Sequence, residues 1–325
     1  MQRREAAGFV PRQLTLYIVI VILSALGALA FQLRSNGIFA CSAAAYSSDD
    51  YLAYCNSLAY GDFDHGAFWF GMEPGIREAA AAADALFLGS SRMEFGFSTG
   101  ATDEWFSTRE VEYYLLGFSH SENVSFVEPL LSSIAPAAKV FVINADRFFD
   151  DSLTEPANTI FFGDDAESRY RRKRAWQLPH RELCGALTWL CGDNLSFYRS
   201  RFSGQWTFLG SDALIPSGTA DSSDDADESW VRNQKRAERF LATLPVARNC
   251  VLLTVVPWAA TPRAEATALA SALGVQLVAP VLDGLHTFDG SHLDTESAER
   301  WSARFFELAG DSISVCLREA GDAGG

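Results

Sequence analysis

The first feature in the hydrophobic pattern is an uncharged run from Leu14 to Leu33. A helix over those positions, at about 1.5 Å per residue, is about 30 Å long, the thickness of a bilayer core. Arg3, Arg4 and Arg12 precede it against one acid, Glu5. That bias places residues 1–13 as a cytoplasmic tail and the bulk of the chain outside. Ala28-Leu29-Ala30 is also a small-x-small cleavage pattern, so 14–33 reads as a transmembrane anchor or as a signal peptide. Both readings export the rest, and an uncleaved anchor gives a single-pass protein with its domain on the extracytoplasmic, periplasmic side of the cell membrane.

Residues 34–75 mix Ser, Ala, Asp and Tyr and end in an aromatic stretch, Phe63 to Phe70. They read as a linker leading into the domain, with the aromatics docking on it. From Ile76 the pattern changes to short apolar runs alternating with amphipathic stretches. Expected strands are Ala85–Leu88, Val111–Leu116, Lys139–Ile143, Val251–Val256 and Val275–Val278. Expected helices are Ile76–Ala83, Ala101–Thr108, Phe126–Ile134, Pro262–Leu273 and Thr295–Ala309. Such alternation predicts a parallel sheet with helices on both faces. The expected fold class is α/β: a three-layer α/β/α sandwich with a roughly five-stranded parallel sheet over 76–325, preceded by one N-terminal transmembrane helix. Residues 147–245 interrupt the alternation as an insertion or cap. They hold a basic run, Arg169 to Arg174, an acidic run, Asp221 to Glu228, expected as an exposed loop, and a returning helix, Trp230–Leu244.

Composition narrows the partners. The 325-residue chain carries 26 Lys and Arg against 41 Asp and Glu, a net charge of −15, and 48% of its residues are hydrophobic. That content supports a large core, while the charge argues against nucleic acid or an anionic membrane surface as partner. No Cys-x-x-Cys is present among the six cysteines, so no metal is expected, and nothing calls for a cofactor. In an oxidising compartment the simplest pairing is Cys41–Cys55 and Cys184–Cys191, leaving Cys250–Cys316. The second pair requires a turn near Thr188–Leu190, because two intervening helical turns would separate the sulfurs by about 10 Å. Six reduced, buried thiols are the alternative.

The run Ala85-Leu86-Phe87-Leu88-Gly89-Ser90-Ser91-Arg92 ends a buried strand in two serines. A serine hydroxyl becomes a nucleophile when a base takes its proton, and histidine is that base when a third group fixes its tautomer. Asp289-Gly290-Ser291-His292 supplies both partners on one turn. Ser91 is the candidate nucleophile, with Ser90 the alternative hydroxyl, His292 the base and Asp289 its orienting carboxylate. Ser91 also stands where helix N-terminal N–H groups suit an oxyanion. Leu86–Gly96 contains no Gly-x-Gly-x-x-Gly and no phosphate-cradling lysine follows it, so a Rossmann-type nucleotide binder is the weaker reading.

These blocks resemble the SGNH (GDSL-like) hydrolase superfamily, especially membrane-anchored extracytoplasmic members with a Gly-Ser-Ser first block. The resemblance implies Ser91 as nucleophile in Gly89-Ser90-Ser91, Gly117 as an oxyanion N–H donor from Leu116-Gly117-Phe118-Ser119, and Asp289 and His292 as the last block. At the third block Asp146 aligns with the family's asparagine, and Asn144 stands in from a shifted loop. The implied activity is a serine esterase or O-acyltransferase acting on ester-linked acyl groups of cell-envelope glycans. A membrane acyl-donor partner accompanies the transferase reading. A catalytically inactive envelope-glycan binding or scaffold protein is the rival.

Overall fold

The uncharged N-terminal run becomes α1 (Arg12–Ser35), which from Leu14 is long and apolar enough to cross a membrane and is exposed to its surroundings. The computed structural model describes residues 12–209, 218–219 and 229–322. The acidic run Asp221–Glu228 lies outside the described residues. After α1 come β1 (Asp50–Cys55), β2 (Gly61–Asp62), α2 (Asp64–Trp69) and α3 (Ile76–Ala82). An alternating stretch follows: β3 (Ala85–Ser90), α4 (Ser91–Phe97), α5 (Gly100–Ser107), β4 (Tyr113–Phe118), α6 (Val124–Ile134) and β5 (Val140–Asn144). The interrupting region contributes α7 (Glu155–Phe162), α8 (Ala166–Ala186), β6 (Ser196–Ser200), β7 (Trp206–Leu209), β8 (Gly218–Thr219) and α9 (Ser229–Leu241). The chain ends with β9 (Val251–Thr254), α10 (Arg263–Leu273), β10 (Gln276–Leu277), β11 (His286–Thr287) and α11 (Thr295–Asp322).

The five alternating strands form one parallel sheet in the order β10-β9-β5-β3-β4. Strand periodicity explains the layers: successive side chains point to opposite faces. Leu86 and Leu88 of β3 enter one core with α6, α9 and α10, while Ala85 and Phe87 enter another with α4, α5 and α11. The α/β fold with a five-stranded parallel sheet flanked by helices is therefore as the alternation predicts. From β3 the chain adds β4 on one side and then returns to add β5 on the other. The carboxyl ends of β3 and β5 thus flank a topological switch point, where open α/β sheets form their crevice.

A second sheet was not legible in the pattern. β2, β1, β6 and β7 pair antiparallel, joining residues 34–75 to the interrupting region. Residues 34–75, expected as a linker, thus carry paired strands and a buried helix; Phe63 and Phe68 of its aromatic stretch are fully buried. The two sheets meet where the β6–β7 turn closes on the open edge of β4, with the Leu115 N–H donating to the Ser203 C=O at 2.8 Å. Gly204 sits there at φ +75°, and a Cβ on it would fall 2.2 Å from the Leu115 carbonyl oxygen. Only glycine fits that conformation and approach.

Arg199 of β6 is the fastening. It is fully buried and ion-pairs with Asp64 and Glu94. It also donates to the carbonyls of Leu115 at 2.8 Å, Gly117 at 2.9 Å and Gly204 at 3.0 Å. Tyr51 donates to the other Asp64 oxygen at 2.5 Å. Burial pushes the Glu94 carboxyl up to about 8, against the pull of Arg199 and the Gly117 N–H.

Three disulfides are present, Cys41–Cys55, Cys184–Cys191 and Cys250–Cys316. The turn required by the second pair is a single 3-10 turn, Thr188–Leu190, that ends α8. Cys250–Cys316 closes 66 residues and ties the start of β9 to α11, whereas Cys184–Cys191 closes 7. Loop-closure entropy then predicts that Cys250→Ala/Cys316→Ala loses about 4 kcal/mol and Cys184→Ala/Cys191→Ala about 2 kcal/mol. Urea unfolding of the two variants checks the order; equal losses would contradict it.

Candidate active site at the carboxyl edge of the sheet

β3 runs straight into α4, so Ser90 and Ser91 have different jobs. Ser90 is the extended N-cap residue, and its Oγ accepts the Arg92 N–H at 3.4 Å. Ser91 is the first helical residue, and its Oγ lies 2.8 Å from His292 Nε2. The helix start is thus capped by one serine while the next faces the imidazole.

The histidine is held from three sides. Its Nδ1 is 2.7 Å from Asp289 Oδ2. Its ring stacks on Phe288, centroids 5.6 Å apart, and meets Phe95 at 4.8 Å. Asp289 Oδ1 accepts the backbone N–H groups of Ser291 at 2.9 Å and His292 at 2.8 Å, so the Asp-x-x-His segment closes on itself. Gly290, at φ +80°, supplies the left-handed residue of this turn. Partial burial pushes the Asp289 carboxyl up, but the His292 hydrogen bond and charge and the two N–H groups outweigh it, and the net direction is down. Asp289 is therefore a carboxylate at neutral pH, able to accept a hydrogen bond from Nδ1–H and leave Nε2 as the acceptor toward Ser91.

The oxyanion side differs from the sequence expectation at Gly117. Its N–H donates to Glu94 Oε1 at 2.7 Å and its C=O accepts from Arg199. Gly117 lies within β4, paired with Gly89, and is not free to hold an oxyanion. The glycine answers a packing need instead: a Cβ there would fall 2.7 Å from Met93 Cε and 2.8 Å from the Ser90 carbonyl oxygen.

Asn144 ends β5 beside β3, and a Cβ on Gly89 would fall 3.0 Å from its Cβ. Its Oδ1 accepts the Val256 N–H at 3.2 Å, which fixes the amide, while its buried Nδ2 has no hydrogen-bond partner among the described residues. Asp146, the aligned third-block residue, is buried and ion-paired with Arg92 at 2.5 Å. Burial pushes its carboxyl up and Arg92 pulls it down, leaving it above the ordinary range. Arg92 also donates to Ser291 Oγ at 3.1 Å and lies 4.1 Å over the Trp258 ring. This guanidinium, next in sequence to Ser91, joins the ends of β3, β5 and β9 to the Asp-x-x-His turn. Sequence reasoning gave Arg92 no role; its position directly after the serine was the one available signal.

No partner is expected for His65 from the sequence, yet with Asp62 it forms a second Asp-x-x-His that has another fate. His65 is fully buried, with Nδ1 2.8 Å from Asp62 and Nε2 3.0 Å from Glu122, so neither nitrogen is available to a serine. Burial lowers its pKa, but the two carboxylates raise it further, to about 10. A folded-state value above the ordinary 6.5 gives stability that is complete below 6.5 and lost as pH rises through about 10. The stability gap between wild type and His65→Gln is expected to narrow over that interval in urea titrations; a pH-independent gap would contradict an imidazolium. Of the other histidines, His180 is buried against Tyr46 and the Cys41 carbonyl, and His120 lines a separate cleft.

Comparison of the chain with protein-family models, with curated proteins and with solved structures finds no match.

Proposed function

We propose that the protein is a membrane-anchored, extracytoplasmic serine hydrolase or O-acyltransferase of SGNH type. The observation that carries this reading is the continuous chain from Ser91 Oγ to His292 Nε2, at 2.8 Å, and from His292 Nδ1 to Asp289, at 2.7 Å. Its place at a sheet switch point, where a crevice forms, supports it.

In this mechanism Ser91 Oγ attacks the carbonyl carbon of an ester while its proton passes to His292 Nε2. The Oγ–C bond forms and the carbonyl oxygen takes the negative charge. The Ser91 N–H and Asn144 Nδ2 are the donors for that oxygen, and Arg92 offsets the charge of the Asp146 carboxyl it pairs with. Collapse breaks the C–O bond to the leaving alkoxide, which takes the proton from Nε2. Water or a glycan hydroxyl then attacks the acyl-enzyme by the same proton path. The α1 span and the three disulfides support an anchored, extracytoplasmic setting. A glycan acceptor rests on family analogy. The test is turnover of a chromogenic acetyl ester by the full-length protein in detergent. Hydrolysis by wild type and none by Ser91→Ala or His292→Ala is expected; undiminished turnover by Ser91→Ala would overturn the nucleophile.

One observation favours the inactive binding or scaffold reading: the Gly117 N–H is engaged by Glu94, which removes a donor the family uses. No turnover of any ester, with glycan affinity unchanged in Ser91→Ala and His292→Ala, selects that reading.

A further inference from the structure

We propose that the cleft between α8, the start of α7 and the chain leaving α1 binds the phosphate of an anionic lipid headgroup. The proposal rests on α1 being a membrane span and is independent of acyl transfer. The cleft holds about 540 Å³ and none of Ser91, Asp289 and His292 lines it.

Position is the first argument. Ile38 lines the cleft and follows the end of α1, Ser35, by three residues, a reach of at most about 11 Å. The headgroup layer is itself about 5–8 Å deep on each side of the hydrocarbon core. Ala59, another lining residue, donates its N–H to the Asn36 carbonyl at 3.1 Å, fixing this wall to the end of the span.

Charge is the second. Arg169, Arg172, Lys173 and Trp176 line the cleft from α8 at spacings of three, four and seven, which is one helix face. This is the basic run that the acyl-transfer site does not use. Arg169 pairs with Asp165 at 2.9 Å, Lys173 donates to the Asp62 carbonyl, and Arg172 is exposed with no hydrogen bond or ion pair among the described residues. Two acids also line the cleft. The Asp62 carboxylate is engaged by His65, Tyr170 and Ser119, and Arg169 is paired with Asp165, which leaves Glu155 against Arg172 and Lys173. Guanidinium forks match phosphate oxygens in geometry as well as charge. The chain's net −15 does not oppose this locally, because charges more than about 8 Å away are largely screened at physiological salt.

The apolar rim is the third, and it favours a lipid over a free phosphate. Leu58 is 91% exposed and Trp176 44% exposed at the cleft. Toward α1, α8 ends at the Cys184–Cys191 bridge, which packs with Phe39, Leu33 and Leu190. Arg34, in the last turn of α1, donates to the Trp189 carbonyl, while Leu183, Leu187 and Trp189 stay exposed. Exposed Trp and Leu beside a span are the composition of the membrane–water interface.

The test titrates the full-length protein in neutral detergent with dihexanoyl phosphatidylglycerol, dihexanoyl phosphatidylcholine and glycerol 1-phosphate by calorimetry. Phosphatidylglycerol is expected to bind at least about tenfold tighter than either of the others, a difference of about 1.4 kcal/mol. Arg169→Glu/Arg172→Glu, both exposed positions, is expected to abolish the preference without changing Tm, and Arg172→Lys to retain part of it. Equal affinity for the two lipids, or a preference that survives the double substitution, would overturn the site. Glycerol 1-phosphate binding as tightly as phosphatidylglycerol would overturn the headgroup as its source. Carbonate extraction of membranes reads the anchor separately: release of the protein overturns the span, whereas retention with equal lipid affinities overturns the cleft.

Discussion

Ser91→Ala is expected to lower ester turnover by about 10⁴–10⁶-fold, with the fold intact. Ser91 is 2.8 Å from the only imidazole nitrogen left free by Asp289, and no second hydroxyl shares that contact among the described residues. His292→Ala is expected to cost about as much, and the double variant no more than either single one, because nucleophile and base act as a unit. Asp289→Asn is expected to cost about 10⁴-fold, since an amide can donate to Nδ1 and turn the tautomer the wrong way. Additive losses would mean that the two residues act separately, and would contradict the relay. Unchanged urea midpoints are the control, because Ser90, not Ser91, caps α4.

Arg199→Met is expected to destabilise the protein by about 3–5 kcal/mol, the largest stability effect anticipated here. Both carboxylates that face Arg199 are buried, Asp64 at 1% exposure and Glu94 at 0%. Burial pushes both upward in pKa even with Arg199 present. Removing the cation leaves them and three carbonyls without its five N–H groups. The loss is therefore expected to be greatest at high pH and to shrink on acidification, as the two carboxyls take protons. Adding Asp64→Leu and Glu94→Met to Arg199→Met is expected to recover much of it, because the penalty lies in unpaired buried groups rather than in a missing attraction. A loss that ignores pH and is not rescued would show that Arg199 acts through shape alone. Since Glu94 also holds the Gly117 N–H, Arg199→Met is the natural probe of whether the second sheet shapes the site.

What the sequence reveals of this fold follows the range of its signals. β3, β4, β5 and β9 are buried on both faces, so each is a short apolar run bounded by polar residues, visible within a few positions. The antiparallel sheet is invisible by the same logic: β1 and β6 lie far apart in sequence, and β1, with Tyr51, Leu52 and Ala53 all buried, shows no clean alternation. The Cys184–Cys191 turn was legible because covalent geometry demands it. Asp289–His292 was legible through its spacing, yet Asp62–His65 has the same spacing and is a buried ion-pair centre. Only tertiary placement tells them apart: one turn faces the end of β3, the other faces Glu122. Arg92 was illegible for a related reason, since its partners Asp146, Trp258 and Ser291 come from three later segments. Gly117 marks the limit of alignment by motif, because its N–H was committed to a residue, Glu94, that the motif does not mention.

The most direct test of the central claim is mass-spectrometric mapping of the full-length protein after reaction with a fluorophosphonate. The account predicts one adduct, on Ser91, in wild type, and none in Ser91→Ala or in His292→Ala. An adduct on any other residue, or no adduct on a folded wild-type protein, would contradict it.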